Sequence, residues 1–226
     1  MPVSLLGPPL ATTSSPTANL SSSYLHTRGQ AYHSSYVDEP HVPTIGNVAI
    51  LPINTKIRGP AAIAEDPSRP DIIEESLDLF RANCLFRNFE IKGPADRLLI
   101  YFILFISDCI NKLAPAHPSK PAPTYGEALK SLSTLAVDHF SLPGDAGFPM
   151  NNLYHGPKDR NEAGARFDAL RSYLLQCRQE LVIRLCDRLY PLEPETQPDG
   201  TPTPANRIGQ RQVKPSKWWM AFQKRK

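Results

Sequence analysis

Two tryptophans, three methionines and four cysteines are all that 226 residues contain, and each scarcity excludes something. The cysteines, Cys84, Cys109, Cys177 and Cys186, form no C-x-x-C pair, and none has a histidine at metal-ligand spacing. That removes a zinc ribbon and a disulfide framework, and leaves four reduced core residues of a cytosolic protein. A long hydrophobic run is also missing. The longest apolar stretch, residues 98–106, covers nine residues and is flanked by Asp96, Arg97, Asp108 and Lys112. A membrane span needs about 20 apolar residues, so no span is expected. Residues 1–30 hold one charged residue, Arg28, and no acid. A mitochondrial presequence is Arg-rich and amphipathic, so this stretch reads as a disordered N-terminal extension.

Catalytic constellations are lacking too. No G-x-S-x-G or H-E-x-x-H motif occurs, and Gly144-Asp145-Ala146-Gly147 neither follows a strand nor opens a clear helix, so it is a turn and not a phosphate loop. The histidines are scattered, most of them in loops. Glu74, Glu75 and Asp78 read as the solvated outer face of a helix. No catalytic residue, cofactor or metal ligand is expected, and a binding or structural role becomes the default.

What the chain has in excess is proline, 24 residues against 12 glycines. The prolines cluster, marking stiff connections between ordered segments. The composition, 41% hydrophobic, is enough to bury a core. The net charge of +3 is unevenly spread. Residues 207–226 carry Arg207, Arg211, Lys214, Lys217, Lys224, Arg225 and Lys226 without an acid, and setting these seven aside leaves −4 for the rest. A mildly acidic body does not suit general nucleic-acid binding, which needs a basic face spread over the fold.

The periodicity predicts an all-α fold, an irregular bundle of about five helices around one central apolar helix, with an extended N-terminal arm and disordered loops. Residues 31–226 form a single helical domain in this reading. The arm covers 31–58. Its segment 44–53 is apolar but broken by Gly46 and Pro52, which suggests chain laid over a surface and not a paired strand. Residues 59–70 read as a loop. Asp71, with Glu74 three residues on, opens a helix bearing Ile73, Leu77, Phe80 and Cys84 on one face, with Phe86 and Phe89 closing the segment. Gly93-Pro94 starts the next helix, whose run at 98–106 is apolar on every side and must be wrapped by neighbours. A strand is its rival, because Ile, Tyr and Phe favour sheets.

A proline-rich loop at 115–123 leads to Thr124 and Glu127, a capping box before a short amphipathic helix with Leu129, Leu132, Leu135 and Ala136. Residues 140–154 form a loop pinned by Phe148 and Leu153. Residues 159–190 repeat Phe167, Leu170, Leu174, Cys177 and Leu181 at helical spacing, then Leu185 and Leu189. A helix of about 30 residues is about 45 Å long, enough to cross a domain. Residues 191–213 are a proline-rich linker.

The tail, 214–226, puts both tryptophans side by side among cations, with Ser216 as a potential N-cap. Four fates stay open for it. Its rings could stack on single-stranded nucleic acid, lie in an anionic membrane surface, dock on a protein, or fold back on the bundle. The protein-docking reading gives a candidate interface of Lys214, Lys217, Trp218, Trp219, Phe222, Lys224 and Arg225. A nucleic-acid-binding or membrane-surface module using the same tail is the alternative.

Several blocks carry a resemblance: Ala31-Tyr32-His33-Ser34-Ser35, residues 45–53, Ala95-Asp96-Arg97-Leu98-Leu99-Ile100-Tyr101, residues 140–149, residues 173–180, and Lys214-Pro215-Ser216-Lys217-Trp218-Trp219. In order from about 31 to 226 they resemble subunit 3, the 21 kDa subunit, of the actin-related protein 2/3 complex. The resemblance implies an all-helical, non-catalytic subunit of a seven-protein assembly that nucleates branched actin filaments. It implies a position against actin-related protein 3, near the filament contacts, in the cytoplasm at cortical actin. It supplies no motif-defined site. The chain departs from the family at residues 1–30, 115–123 and 191–213, all at a terminus or in loops.

Overall fold

Helix boundaries follow local chemistry, as the computed structural model makes clear over residues 32–84, 90–115, 121–155, 160–192 and 212–223, with backbone alone at 160–163. The extension at 1–30, Phe86, Phe89 and most of the linker lie outside the described residues. Helix α1, Ile72–Asn83, begins where Asp71 accepts from the Glu74 amide at 2.9 Å. Helix α2, Pro94–Lys112, starts with proline at its first position. Helix α3, Tyr125–Val137, carries the complete capping box between Thr124 and Glu127. Helix α4, Arg160–Leu189, runs for 30 residues, and α5, Lys217–Met220, is a single turn. The fold is all-α, with these five helices among the described residues and one small sheet.

Helix α2 is the hub, packed against α1, α3 and α4. Leu98, Leu99, Ile100, Phe102, Ile103, Ile106, Cys109 and Ile110 have no solvent exposure. Wrapping of this kind is the only stable setting for a helix apolar on every side, and the strand alternative is removed. No disulfide joins the four cysteines: Cys109, Cys177 and Cys186 are buried, while Cys84 is half-buried.

The N-terminal arm departs from expectation. Thr44–Ile45 (β1) pairs antiparallel with Val48–Ala49 (β2) in a two-residue hairpin. Gly46, read as a break, is its turn, at φ +61°. A Cβ there would stand 2.8 Å from the His155 carbonyl oxygen, so both conformation and space demand glycine. Ala49, Leu51 and Ile53 are fully buried, so the arm enters the core instead of lying over it. Its backbone is matched from afar: the Tyr173 hydroxyl accepts from the Leu51 amide and donates to the Leu51 carbonyl, each at 3.0 Å. The 140–154 loop contains one turn of 3-10 helix, Asn151–Leu153, and is pinned as expected by Phe148, which stacks on Tyr101 at 6.2 Å. Leu153 is half-buried, and its carbonyl accepts from Asn47 and Arg97.

Three charged clusters join these elements. Arg178 on α4 is buried, its guanidinium carbon 3.8 Å above the Phe105 ring and 4.2 Å from that of Phe140. It donates to the Leu135 and Ala136 carbonyls at 2.7 and 3.1 Å and to the Tyr101 oxygen at 3.3 Å. Those carbonyls belong to the last turn of α3, where helices leave acceptors unfilled, so an arginine on a neighbouring helix completes the end of α3. Arg178→Met keeps the packing and strands the acceptors. A loss of about 2 kcal/mol in urea unfolding is expected.

The second cluster corrects the solvated reading of Glu75. Its side chain is buried, accepting from the Ser34 hydroxyl at 2.7 Å and the Ser35 amide at 2.6 Å. Fully buried Asp96 accepts from the Ser34 amide, His33 Nδ1 and the Lys92 amide at 2.8–2.9 Å. Two carboxylates thus latch residues 33–35 onto the starts of α1 and α2. Burial raises the pKa of Glu75 against the lowering by its hydrogen bonds. A raised folded pKa means the contribution is full below the unfolded carboxylate pKa and is lost as pH rises through the folded value. Glu75→Gln keeps an acceptor for the Ser35 amide without a charge. Its melting temperature relative to wild type is expected to climb across the carboxylate range and level off above it. A flat difference across a pH series would refute this.

In the third cluster, Glu74 and Asp78 do not simply face water but pair with arginines of α4. Arg188 binds both, at 2.7 Å to Asp78. Arg184 makes a fork with fully buried Asp71 at 2.7 and 2.8 Å, and also binds Glu180 at 2.8 Å.

Candidate functional site

The C-terminal segment is placed by backbone first. The Ser216 amide donates to the Leu189 carbonyl at 2.7 Å and the Gln212 amide to the Pro191 carbonyl at 3.2 Å, so the segment returns beside the end of α4. Ser216 occupies the N-cap position of α5 but makes no side-chain cap bond, so the cap expected from sequence is positional only. Gln223 reaches the Ile110 carbonyl on α2 at 3.4 Å.

One turn of helix then separates neighbouring side chains by about 100°, and α5 presents three faces. The inner face is Trp219, 5% exposed and stacked on Phe80 of α1 with ring centres 5.5 Å apart. Phe222 completes this cluster edge-on to Phe80 at 5.4 Å and is half-buried. A second face is Trp218, 43% exposed, edge-on to Trp219 at 4.8 Å, with the Arg81 guanidinium carbon 5.9 Å from its ring centre. The third face holds Lys217 and Met220, one turn apart. These border an open groove of about 800 Å³ that is also lined by Pro115, Ala122, Val213 and Pro215.

Of the candidate interface residues, Lys214, Lys217 and Trp218 are exposed, Trp219 is turned into the chain's own core and Phe222 is half-buried. The fold-back fate therefore holds for Trp219 and Phe222. Lys224 and Arg225 lie outside the described residues. Two α1 residues that support this surface are missed by sequence reasoning: buried Phe80, on which Trp219 stacks, and exposed Arg81, beside Trp218. Phe80 was visible as a core position on α1, yet nothing local says which aromatic it meets.

The surface has the makings of a contact site, a large aromatic beside cations, and no converging acid, base and nucleophile. Among the described residues no group of three or more His, Cys, Asp or Glu side chains is placed to hold a metal ion. No described helix is long and apolar enough to cross a membrane.

Comparison with known proteins agrees over nearly the whole chain. Residues 29–226 match the family model P21-Arc, described as the ARP2/3 complex ARPC3 (21 kDa) subunit. Actin-related protein 2/3 complex subunit 3 of Schizosaccharomyces pombe is 46% identical over 196 residues, 87% of this chain and 95% of the relative. The protein of the same name from Saccharomyces cerevisiae is 45% identical over 198 residues, 87% and 96% of the two chains. That from Arabidopsis thaliana is 35% identical over 195 residues, 86% and 95%. With identity at this level sustained across both lengths, the chain belongs to the P21-Arc family.

Proposed function

We propose that this chain is a non-catalytic structural subunit of an actin-related protein 2/3 complex, the assembly named in its relatives. The observation carrying this reading is near-full-length kinship, 46% identity across 95% of the fission yeast subunit. In that role it supports nucleation of branched actin filaments by holding other subunits, actin-related protein 3 foremost, in the cytoplasm at cortical actin. The contact face is built from Trp218 with Lys214 and Lys217. Exposed tryptophan flanked by cations suits a partner with an apolar pocket ringed by acids.

Affinity purification of the tagged protein from its own cells is expected to recover both actin-related proteins. Recovery of neither sinks the reading. The nucleic-acid or membrane alternative has less support, because Trp219 is already committed to Phe80 and leaves a single open ring. A phosphate-driven interaction would collapse steeply with the logarithm of salt concentration, which a titration would reveal.

A further inference from the structure

The exposed loop that follows the arm is held more firmly than its place on the surface requires. Gln176 of α4, 3% exposed, takes both ends of its turn: Nε2 donates to the Ile57 carbonyl at 2.7 Å and Oε1 accepts from the Ala61 amide at 2.8 Å. Gly59 lies between those two bonds, so close that a Cβ there would stand 2.3 Å from the Gln176 side-chain amide. Thr55 donates to Glu180 at 2.7 Å and accepts from the Ile57 amide at 3.0 Å, and the Ala62 carbonyl accepts from the Ile53 amide at 3.0 Å. A buried amide is costly unless both its ends are satisfied, and here loop backbone satisfies them, so α4 and the loop fix each other's geometry. What the loop turns outward is cationic and apolar. Lys56 and Arg58 are exposed, and among the described residues neither pairs with a carboxylate. No acid occurs between Thr55 and Ala64. Ile63 is 77% exposed, an apolar side chain left in water unless something covers it.

We propose that residues 56–63 are a preset contact loop for the acidic face of a partner protein, where carboxylates beside an apolar patch meet Lys56 and Arg58 while Ile63 packs on the patch. The inference rests on reading the chain as a protein-binding subunit, and deepens it with a second contact surface that shares no residue with the Trp218 face. Charge selects the occupant. Two cations with no acid between them repel a basic face, and a purely apolar face would leave both uncompensated. Glu65 and Asp66, next along the chain, disfavour a membrane or nucleic acid, whose phosphates would meet them as well. Rigidity supplies the rest. A loop already in its bound shape loses little freedom on binding, so a small surface can still hold a partner. Gln176 is therefore a positioning residue, buried and acting through the loop backbone.

The test follows backbone amide shifts of the isotope-labelled full chain by NMR. The probe is a lactam-locked helical peptide with a leucine stripe flanked by glutamates, compared with the same peptide carrying lysines. The acidic peptide is expected to give saturable shifts at residues 56–64, and the lysine peptide to bind there at least about tenfold more weakly. The double variant Lys56→Glu, Arg58→Glu and the single variant Ile63→Ser should each weaken binding at the loop by about tenfold. All three positions are exposed, so melting temperatures should stay at the wild-type value. Gly59→Ala keeps every outward side chain but pushes the loop off Gln176, so it should weaken binding by about threefold or more. A patch that bound by charge alone would not register that change. The proposal is overturned by absence of saturable shifts at 56–64, by equal affinity for both peptides, or by wild-type affinity in the charge and Ile63 variants. Wild-type affinity in Gly59→Ala overturns it too, as do equal loop shifts from vesicles of phosphatidylcholine and phosphatidylserine at about 3:1. Recovery of actin-related proteins by the tagged chain is scored separately. A chain that assembles without loop shifts loses only the loop, and one that shows the shifts but recovers neither actin-related protein loses the complex assignment.

Discussion

Arg184→Met is expected to cost about 3 to 5 kcal/mol of folding free energy, because it leaves a buried carboxylate without its cation. Asp71 is fully buried and does three jobs at once. Its oxygens cap α1 through the Glu74 amide at 2.9 Å, hold the Asn54 amide at 2.8 Å, and accept the two-pronged guanidinium of Arg184. Arg184 also donates to the Asn54 carbonyl and to Glu180, so one side chain ties the arm, the start of α1 and the C-terminal third of α4. Lysine cannot replace it, since a single ammonium cannot span both carboxylate oxygens and the Asn54 carbonyl. Asp71→Asn in the Arg184→Met background should recover part of the loss, because the neutral amide still accepts from the Glu74 amide and leaves no unpaired charge. Urea unfolding of the two single variants and the double gives the coupling. Additive losses would refute the account.

Network membership of this kind explains which parts of the molecule could be read from sequence. Asp71 and the Thr124–Glu127 pair announce two helix starts because a cap is satisfied within three residues of itself, and Pro94 announces a third because its ring fixes φ and carries no N–H to satisfy, so each signal is local. The central helix was legible for a similar reason: a run apolar on every face has one physical solution. Glu75 was misread, as nothing within α1 distinguishes it from Glu74. Its partners, Ser34 and Ser35, are 41 and 40 residues away. The hairpin at 44–49 was lost to Gly46, whose break signal is equally a turn signal. Only the approach of the His155 carbonyl decides between them, and that carbonyl lies in a distant loop.

The tail posed the same difficulty in sharper form, and it yields the other large prediction. Two adjacent tryptophans look equivalent in sequence, yet the structure gives them opposite surroundings, so their substitutions should part company in two assays. Trp219→Ala removes a ring that is 5% exposed and stacked on Phe80, and opens a cavity between α1 and α5. The expected loss is about 3 to 5 kcal/mol in urea unfolding. Phe222 meets Phe80 and Trp218, the same two rings that Trp219 contacts, so with Trp219 gone the turn at 217–220 should loosen and amide exchange there should rise. Trp218→Ala deletes a ring that is 43% exposed and should cost no more than about 1 kcal/mol. Its larger effect belongs to assembly: recovery of actin-related proteins should fall while the melting temperature barely moves. Phe at 219 should restore most of the stability by refilling the stack on Phe80, whereas Phe at 218 should restore assembly only if the partner reads apolar area and not the indole N–H. Equal destabilisation by both alanine variants would mean that the tail is not seated on α1 as described. Equal loss of assembly with no change in stability would mean that both rings face the partner.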